Sequence, residues 1–257
     1  MSWERNIVLK SPQEIAVMRQ AGRINALALQ AVREMIRPGV TTAELDAAAE
    51  AVIRKHGAIP TFKGYPGPYP FPATICASIN EQLVHGIPGK RKLQAGDVIS
   101  IDCGSTFEGF VGDAAITVGV GEISPDAHRL IEVTEQALFE GIRQMRAGNR
   151  VGDVSAAIQR YVESYNLHVT REYTGHGVGR QMHEGPQVPN YGIAGRGMVL
   201  RPGMTIALEP MVLVGTHNTR VLSDQWTVVS ADGSLTAHCE HSIAVTEGEP
   251  LILTTPE

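Results

Sequence analysis

Apolar side chains recur every three or four residues along SPQEIAVMRQAGRINALALQAVREMI, residues 11–36, with Ile15, Met18, Ala21 and Val32 among them. That spacing lines one face of an α-helix, and Ser11-Pro12 followed by Glu14 supplies a helix start signal. TTAELDAAAEAVIRKHG gives a second helix, opened by Thr41 with Glu44 three residues on and closed by Gly57. SPDAHRLIEVTEQALFEGIRQMRAG and VGDVSAAIQRYVESYN repeat the pair. After each pair come segments rich in Val, Ile and Thr, which read as strands. The pattern predicts two α/β halves giving strands to a shared, mostly antiparallel sheet with helices on one face.

The halves echo each other in sequence. LQAGDVISID (93–102) and LRPGMTIALE (200–209) share one pattern, ending on Asp102 and Glu209. Upstream, IRPGVTTAELDAA from Ile36 resembles MRAGNRVGDVSAA from Met145; downstream, DAAITV from Asp113 resembles EHSIAV from Glu240. HGIP at His85 has a partner in HGVG at His176. Four matches in one order point to an internal duplication.

The strands so placed carry charges where apolar residues are expected. VISIDCGSTFEGFVGDAAITVGV, residues 98–120, reads as a hairpin with Asp102 and Asp113 inside it. Like charges across a hairpin repel, and burying them unpaired costs several kcal/mol or more. A pseudo-twofold relation brings Asp102 and Asp113 together with Glu209 and Glu240, expected on a counterpart hairpin. Four carboxylates in one sheet centre call for cations, so these acids are candidate metal ligands. An added imidazole shifts preference towards Mn, Fe, Co or Zn. YTGHGVGRQMHEGPQVPNYG offers His176 and His183 in a Gly-rich stretch. One histidine with two bridging acids can hold a pair of ions about 3.5–4 Å apart, a centre that activates water for hydrolysis.

Other residues carry blander readings. His85 and His176 can also be loop histidines bonded to backbone, and FKGYPGPYPFP (62–72) is either a stiff loop or a wall of a substrate pocket. Cys103 and Cys239 each adjoin a proposed ligand, so strand alternation points them to the opposite face as core filler. His56, His128, His168 and His217 have no echo or motif and read as surface or structural. His183-Glu184 lacks a second histidine four residues on, which excludes the zinc-protease helix motif. The absence of a G-x-S-x-G elbow and of a P-loop argues against a serine hydrolase or an NTPase.

Composition narrows the setting. With 43% hydrophobic and 19% charged residues, the 257-residue chain is an ordinary globular sequence. A net charge of −5 lacks the basic footprint of a nucleic-acid binder. No uncharged apolar run nears the roughly 20 residues that span a bilayer, and the charged N-terminus does not fit an export signal. Three widely spaced cysteines do not suggest a disulfide framework, so a reducing cytoplasm is expected.

FKGY, TICASINEQLVHGIP, GDVISIDCG, GFVGDAAIT, TGHGVGRQMHEGPQVPNYG, LRPGMTIALEPM and WTVVSADGSLTAHCEHSIAVTEG run the length of the chain. On these segments it resembles the type I methionine aminopeptidases, metallopeptidases of the pita-bread (creatinase/aminopeptidase) fold. The resemblance implies an α/β (α+β) architecture in which two pseudo-twofold-related halves share a curved, mostly antiparallel sheet with helices on its outer face. One catalytic domain would cover 1–257, with a short N-terminal extension at 1–10 and halves at about 11–122 and 123–257. It implies five ligands for two divalent ions (Co, Mn, Fe, Zn or Ni): Asp102, Asp113, His176, Glu209 and Glu240. Asp113 and Glu240 would bridge, Asp102 would hold one ion, and His176 with Glu209 the other. Glu209 would also take the proton of the attacking water, with His85 at the scissile amide nitrogen and His183 at the carbonyl oxygen. Tyr65, Cys76 and Trp226 would line the methionine pocket, a soft apolar surface suited to a thioether.

The implied activity is removal of the initiator methionine from peptides and nascent chains, near the ribosome, when the second residue is small. A cytoplasmic monomer that binds neither nucleic acid nor membrane is expected. The short span between His176 and Glu209 leaves no room for the helical insertion of type II enzymes. The chain departs from many relatives at Met182, Gly185 and His238, where Phe, Glu and Gln are usual, and in a longer PGPYP segment. Two other readings stay open: the same fold acting on X-Pro or other N-termini, and a non-enzymatic pita-bread binding module. Such modules typically lose metal ligands, and all five are present here.

Overall fold

The computed structural model describes residues 7–257, so most of the expected extension at 1–10 lies outside the described residues. Helices α1 (Pro12–Met35) and α2 (Thr42–Lys55) form where apolar periodicity places them. Each opens with a reciprocal capping box, Ser11 with Glu14 and Thr41 with Glu44. Such a cap satisfies helix-end N–H groups and stabilises by about 1 kcal/mol. Three strands follow, β1 (Ile59–Pro60), β2 (Ile75–Ile79) and β3 (Gln82–Val84), and then the hairpin of β4 (Val98–Phe107) and β5 (Phe110–Gly119). Helices α3 (Pro125–Gln144) and α4 (Val151–Glu163) open the second series. They lead into β6 (His168–Val169), β7 (Thr174–Gly177), β8 (Glu184–Pro189) and β9 (Thr205–Leu208). The chain closes with β10 (Met211–Leu213), β11 (Thr219–Val221), β12 (Val228–Ser230), β13 (Thr236–His238), β14 (Glu240–Ala244) and β15 (Leu251–Ile252).

The main sheet runs β1-β4-β5-β14-β9-β7-β8, with β2 on β4 and β15 on β14. Its registered pairs are antiparallel. The echoed segments therefore lie symmetrically: the two centre strands, β5 and β14, carry DAAITV and EHSIA, and the flanking β4 and β9 carry VISID and TIAL, with Glu209 next after β9. One expectation needs correction. Glu209 and Glu240 do not share a hairpin, because β10 to β13 intervene between β9 and β14. The strands still pair, His241 opposite Leu208, so the acids meet through a long excursion instead of a tight turn.

Two apolar cores flank this centre. Ile24, Leu29 and Val32 of α1 and Leu45 and Ile53 of α2 pack with Ile75, Ile99 and Ile101 of the sheet. Leu130, Leu138, Val154 and Ile158 of α3 and α4 pack with Ile206, Leu208 and Ile243. Each fully buried side chain of this kind stabilises by roughly 1.5–3 kcal/mol. Helix α1 crosses β5 at Gly22 and Gly112, so closely that a Cβ on Gly112 would stand 2.5 Å from the Gly22 nitrogen. Gly112 is therefore required for the helix to seat on β5, whereas a Cβ on Gly22 would meet the Leu253 carbonyl oxygen, at 2.2 Å. Cys103 and Cys239 are buried in these cores, as strand alternation implied. Among the described residues, no helix is long and apolar enough to cross a membrane.

Candidate metal centre

Strand register decides which acids can meet. Asp102 lies opposite Ala115 and Asp113 opposite Gly104, so the two are diagonal neighbours on one face of the hairpin. Glu240 also lies opposite Ala115, from the other side. Glu209 follows β9 directly, and its carbonyl accepts a hydrogen bond from the Asn190 side chain. The Asp113 backbone is pinned across the β5–β14 joint. Its N–H donates to Ser242 Oγ at 3.0 Å, and the Ser242 hydroxyl donates to its carbonyl at 2.8 Å.

His176 is buried on β7. Its Nδ1 lies 2.9 Å from the Gly177 carbonyl, which can only accept, so Nδ1 carries the proton and Nε2 presents its lone pair. That nitrogen stands 3.7 Å from Asp113 Oδ2 and 3.5 Å from Glu209 Oε1. Fixing one imidazole nitrogen on a carbonyl so that the other faces the site is the usual support of a metal-binding histidine.

The donors fall into two overlapping groups. Asp113, His176 and Glu240 offer ligand atoms all within 4.8 Å of one another, and so do Glu209, His238 and Glu240. Asp102 belongs to neither group but lines the same cavity. The sheet also leaves buried oxygens without a hydrogen-bond partner: Oδ1 of Asp102, Oδ1 of Asp113 and Oε1 of Glu240. Buried polar atoms are almost always satisfied, so orphan oxygens from three acids lining one cavity fit a hard or borderline cation.

The electrostatics point the same way. Burial pushes the carboxyls of Asp102, Asp113, Glu209 and Glu240 well above their ordinary range. Neighbouring acids add to this at three of them: Asp113 raises Asp102, Glu209 raises Asp113, and Asp113 with Glu209 raises Glu240. Burial lowers His176 to about 3 and His85 to about 4, which leaves both imidazoles neutral. A protein without cations here has to hold protons in their place.

The acids form the floor of a cavity of about 190 Å³. Tyr65, Cys76 and Trp226 are among its lining residues, as are His85 and His183. Cys76 pairs with Asp102 in register, so its thiol shares that strand face. The Trp226 ring meets Phe71 edge-on at 5.2 Å and His85 at 6.3 Å. His183 packs against His176 with ring centroids 4.3 Å apart. FKGYPGPYPFP lines the cavity through Phe62, Tyr65 and Phe71. Sequence reasoning did not single out Tyr173 or Met211, which also line the cavity, and it recorded His238 only as a departure. The period-two offset of Met211 from Glu209 and of His238 from Glu240 was the available signal.

Comparison with known proteins places this architecture. Metallopeptidase family M24 matches residues 16–247. A methionine aminopeptidase of Clostridium acetobutylicum is 52% identical over 98% of this chain and 100% of its own. Methionine aminopeptidase 1 of Bacillus subtilis is 51% identical over 94% of this chain and 96% of its own. A solved methionine aminopeptidase of Thermotoga maritima superposes with a TM-score of 0.94 at 45% identity, covering 97% of this chain and 100% of that one.

Proposed function

The chain belongs to metallopeptidase family M24, and we propose that it is a methionine aminopeptidase that frees the N-terminal methionine of peptides and nascent proteins with a small second residue. Its fold is the pita-bread arrangement. The observation that supports the reading best is the set of partnerless carboxylate oxygens beneath an apolar, sulfur- and aromatic-walled cavity. Residues 1–257 act as one catalytic unit, with halves at about 11–122 and 123–257 meeting at β5 and β14. Its setting is the cytoplasm, close to emerging chains, and a single copy suffices.

Asp102, Asp113, His176, Glu209 and Glu240 would hold two divalent ions, drawn from Co, Mn, Fe, Zn or Ni. When bound, such ions polarise a carbonyl and lower the pKa of water enough to give a nucleophile near neutral pH. The chain's residues then divide the remaining tasks. Tyr65, Cys76 and Trp226 receive the methionine side chain, whose thioether suits a soft apolar wall. The acidic floor favours a positively charged α-amine beside it, so an N-terminal residue binds and an internal one does not. Glu209 has a side chain 12% exposed, against 2% for Asp113 and Glu240. It is better placed than those two to take a proton from the attacking water and pass it on. His183 donates to the carbonyl oxygen as charge develops, and His85 to the departing amide nitrogen.

The test is hydrolysis of Met-initiated peptides by metal-stripped protein, restored by titrating single ions. Activity should return with metal and stay low in Glu209→Gln and His176→Ala. A panel varying the first two residues should favour Met followed by a small residue. Near-normal turnover in those variants, or a preference for X-Pro peptides, overturns the assignment.

A further inference from the structure

His238 carries no assigned task, yet it is among the least solvated polar residues in the protein, its side chain 2% exposed. Its backbone is clamped by Thr117: the His238 N–H donates to Thr117 Oγ1 at 2.9 Å, and that hydroxyl donates to the His238 carbonyl at 2.7 Å. Ser100 Oγ lies 2.8 Å from the same hydroxyl oxygen, which completes its hydrogen bonding. The end of β13 is thereby fixed. The His238 ring has no hydrogen-bond partner at either Nδ1 or Nε2. An imidazole buried with both nitrogens unused forfeits the hydration of each.

The aim of Nε2 accounts for one of the two nitrogens. Nε2 stands 3.6 Å from Glu209 Oε2 and 3.7 Å from Glu240 Oε2. These separations exceed hydrogen-bonding distance. They are close to the gap between two donors on one ion, about 3.0–3.6 Å when ligand bonds are about 2.0–2.2 Å. His176 keeps the same spacing, 3.5 Å from Glu209 Oε1 and 3.7 Å from Asp113 Oδ2. Glu209 thus has an imidazole nitrogen off each of its oxygens. His238 also completes the donor group with Glu209 and Glu240, whereas His176 completes the one with Asp113 and Glu240.

We propose that His238 is a direct metal ligand, so that this centre has six protein donors with two histidines among them. The inference rests on the reading of the acidic floor as a metal centre. A second imidazole makes the donor set richer in nitrogen. It shifts preference from oxygen-seeking Mg and Mn towards Co, Ni and Zn.

The test counts ligated histidines. Full-length protein labelled with 15N-histidine and loaded with two equivalents of Co(II) is observed by proton NMR for contact-shifted imidazole N–H signals. Two such signals are expected, one of which disappears in His238→Gln. The variant's weaker Co(II) site should lose about 10–100-fold in affinity by calorimetry. The count in the wild-type protein decides the matter even if the variant does not fold. A single shifted signal at full loading, or two signals that both survive in His238→Gln, overturns the proposal and leaves the metallopeptidase reading intact. A chain that takes up no Co(II) overturns both.

Discussion

The Tyr65 hydroxyl lies 2.5 Å from Nδ1 of His183, which ties the aromatic wall of the cavity to an imidazole packed against His176. Burial and the nearby Asp113 raise the tyrosine pKa, so the hydroxyl keeps its proton and can donate it. Burial lowers that of His183, so the imidazole is neutral and can accept. An accepting Nδ1 puts the ring proton on Nε2, as the proposed donation to a developing oxyanion requires. Tyr65→Phe should lower kcat/KM on a Met-initiated peptide about tenfold, equivalent to ~1.4 kcal/mol, while bound metal stays constant. Steady-state kinetics with elemental analysis checks this. Unchanged kinetics, or loss of metal, would remove the positioning role.

Glu240 is common to both donor groups and sits at the joint of the two halves, opposite Ala115. Glu240→Gln keeps the volume and removes a buried charge that Asp113, Glu209 and Asp102 oppose. Metal stoichiometry should fall and peptidase activity should drop to that of stripped protein. Metal-free stability should hold or rise, because one repulsive carboxylate has gone. Thermal unfolding of stripped wild type and variant separates this from general damage: a variant that melts well below stripped wild type contradicts it.

The raised carboxyls also fix the sign of a pH effect. A group whose folded pKa exceeds its unfolded value binds more protons when folded, so stability falls as pH rises between the two values. For Asp102, Asp113, Glu209 and Glu240 the loss begins near the ordinary values, 3.8 for aspartate and 4.5 for glutamate, and continues upward. Metal-stripped protein should therefore lose stability as pH rises above that range. Loaded protein should lose much less, because cations replace the protons, and the melting-temperature gain on adding metal should grow with pH. A gain that shrinks with pH would reverse the sign.

Much of this was legible in the chain because strands have a period of two and the sequence repeats. Asp102, Asp113, Glu209 and Glu240 stand out as charges at apolar positions, and register makes three of them neighbours of the central joint. The caps of α1 and α2 were local signals and appear where the motifs lie. Contacts between distant segments were not legible. Nothing near residue 65 announces His183, and nothing near residue 117 announces that its hydroxyl clamps His238. The route from Glu209 to Glu240 was misread for a similar reason. Its long excursion is set by pairing of β10 with β13 and β12 with β3, which no local turn signal encodes.

Gly67 and Trp226 offer the sharpest test of the pocket wall. Residues 62–72 pack against Trp226, and a Cβ on Gly67 would stand 2.3 Å from a carbon of the Trp226 ring. The ring has little freedom to retreat, since Phe71 meets it edge-on at 5.2 Å and Tyr69 at 6.2 Å. Gly67→Ala must then displace either the indole or the loop. Overpacking of this kind costs about 1–3 kcal/mol, and here it falls on the proposed methionine side-chain site. If Trp226 shapes that site, the substitution should raise KM for Met-initiated peptides by about tenfold or more while kcat changes little, since uniform binding is what is lost. Bound metal should match wild type. Equal KM values would show that the indole does not form the binding wall, and a fall in kcat alone would place the disturbance at the chemical step.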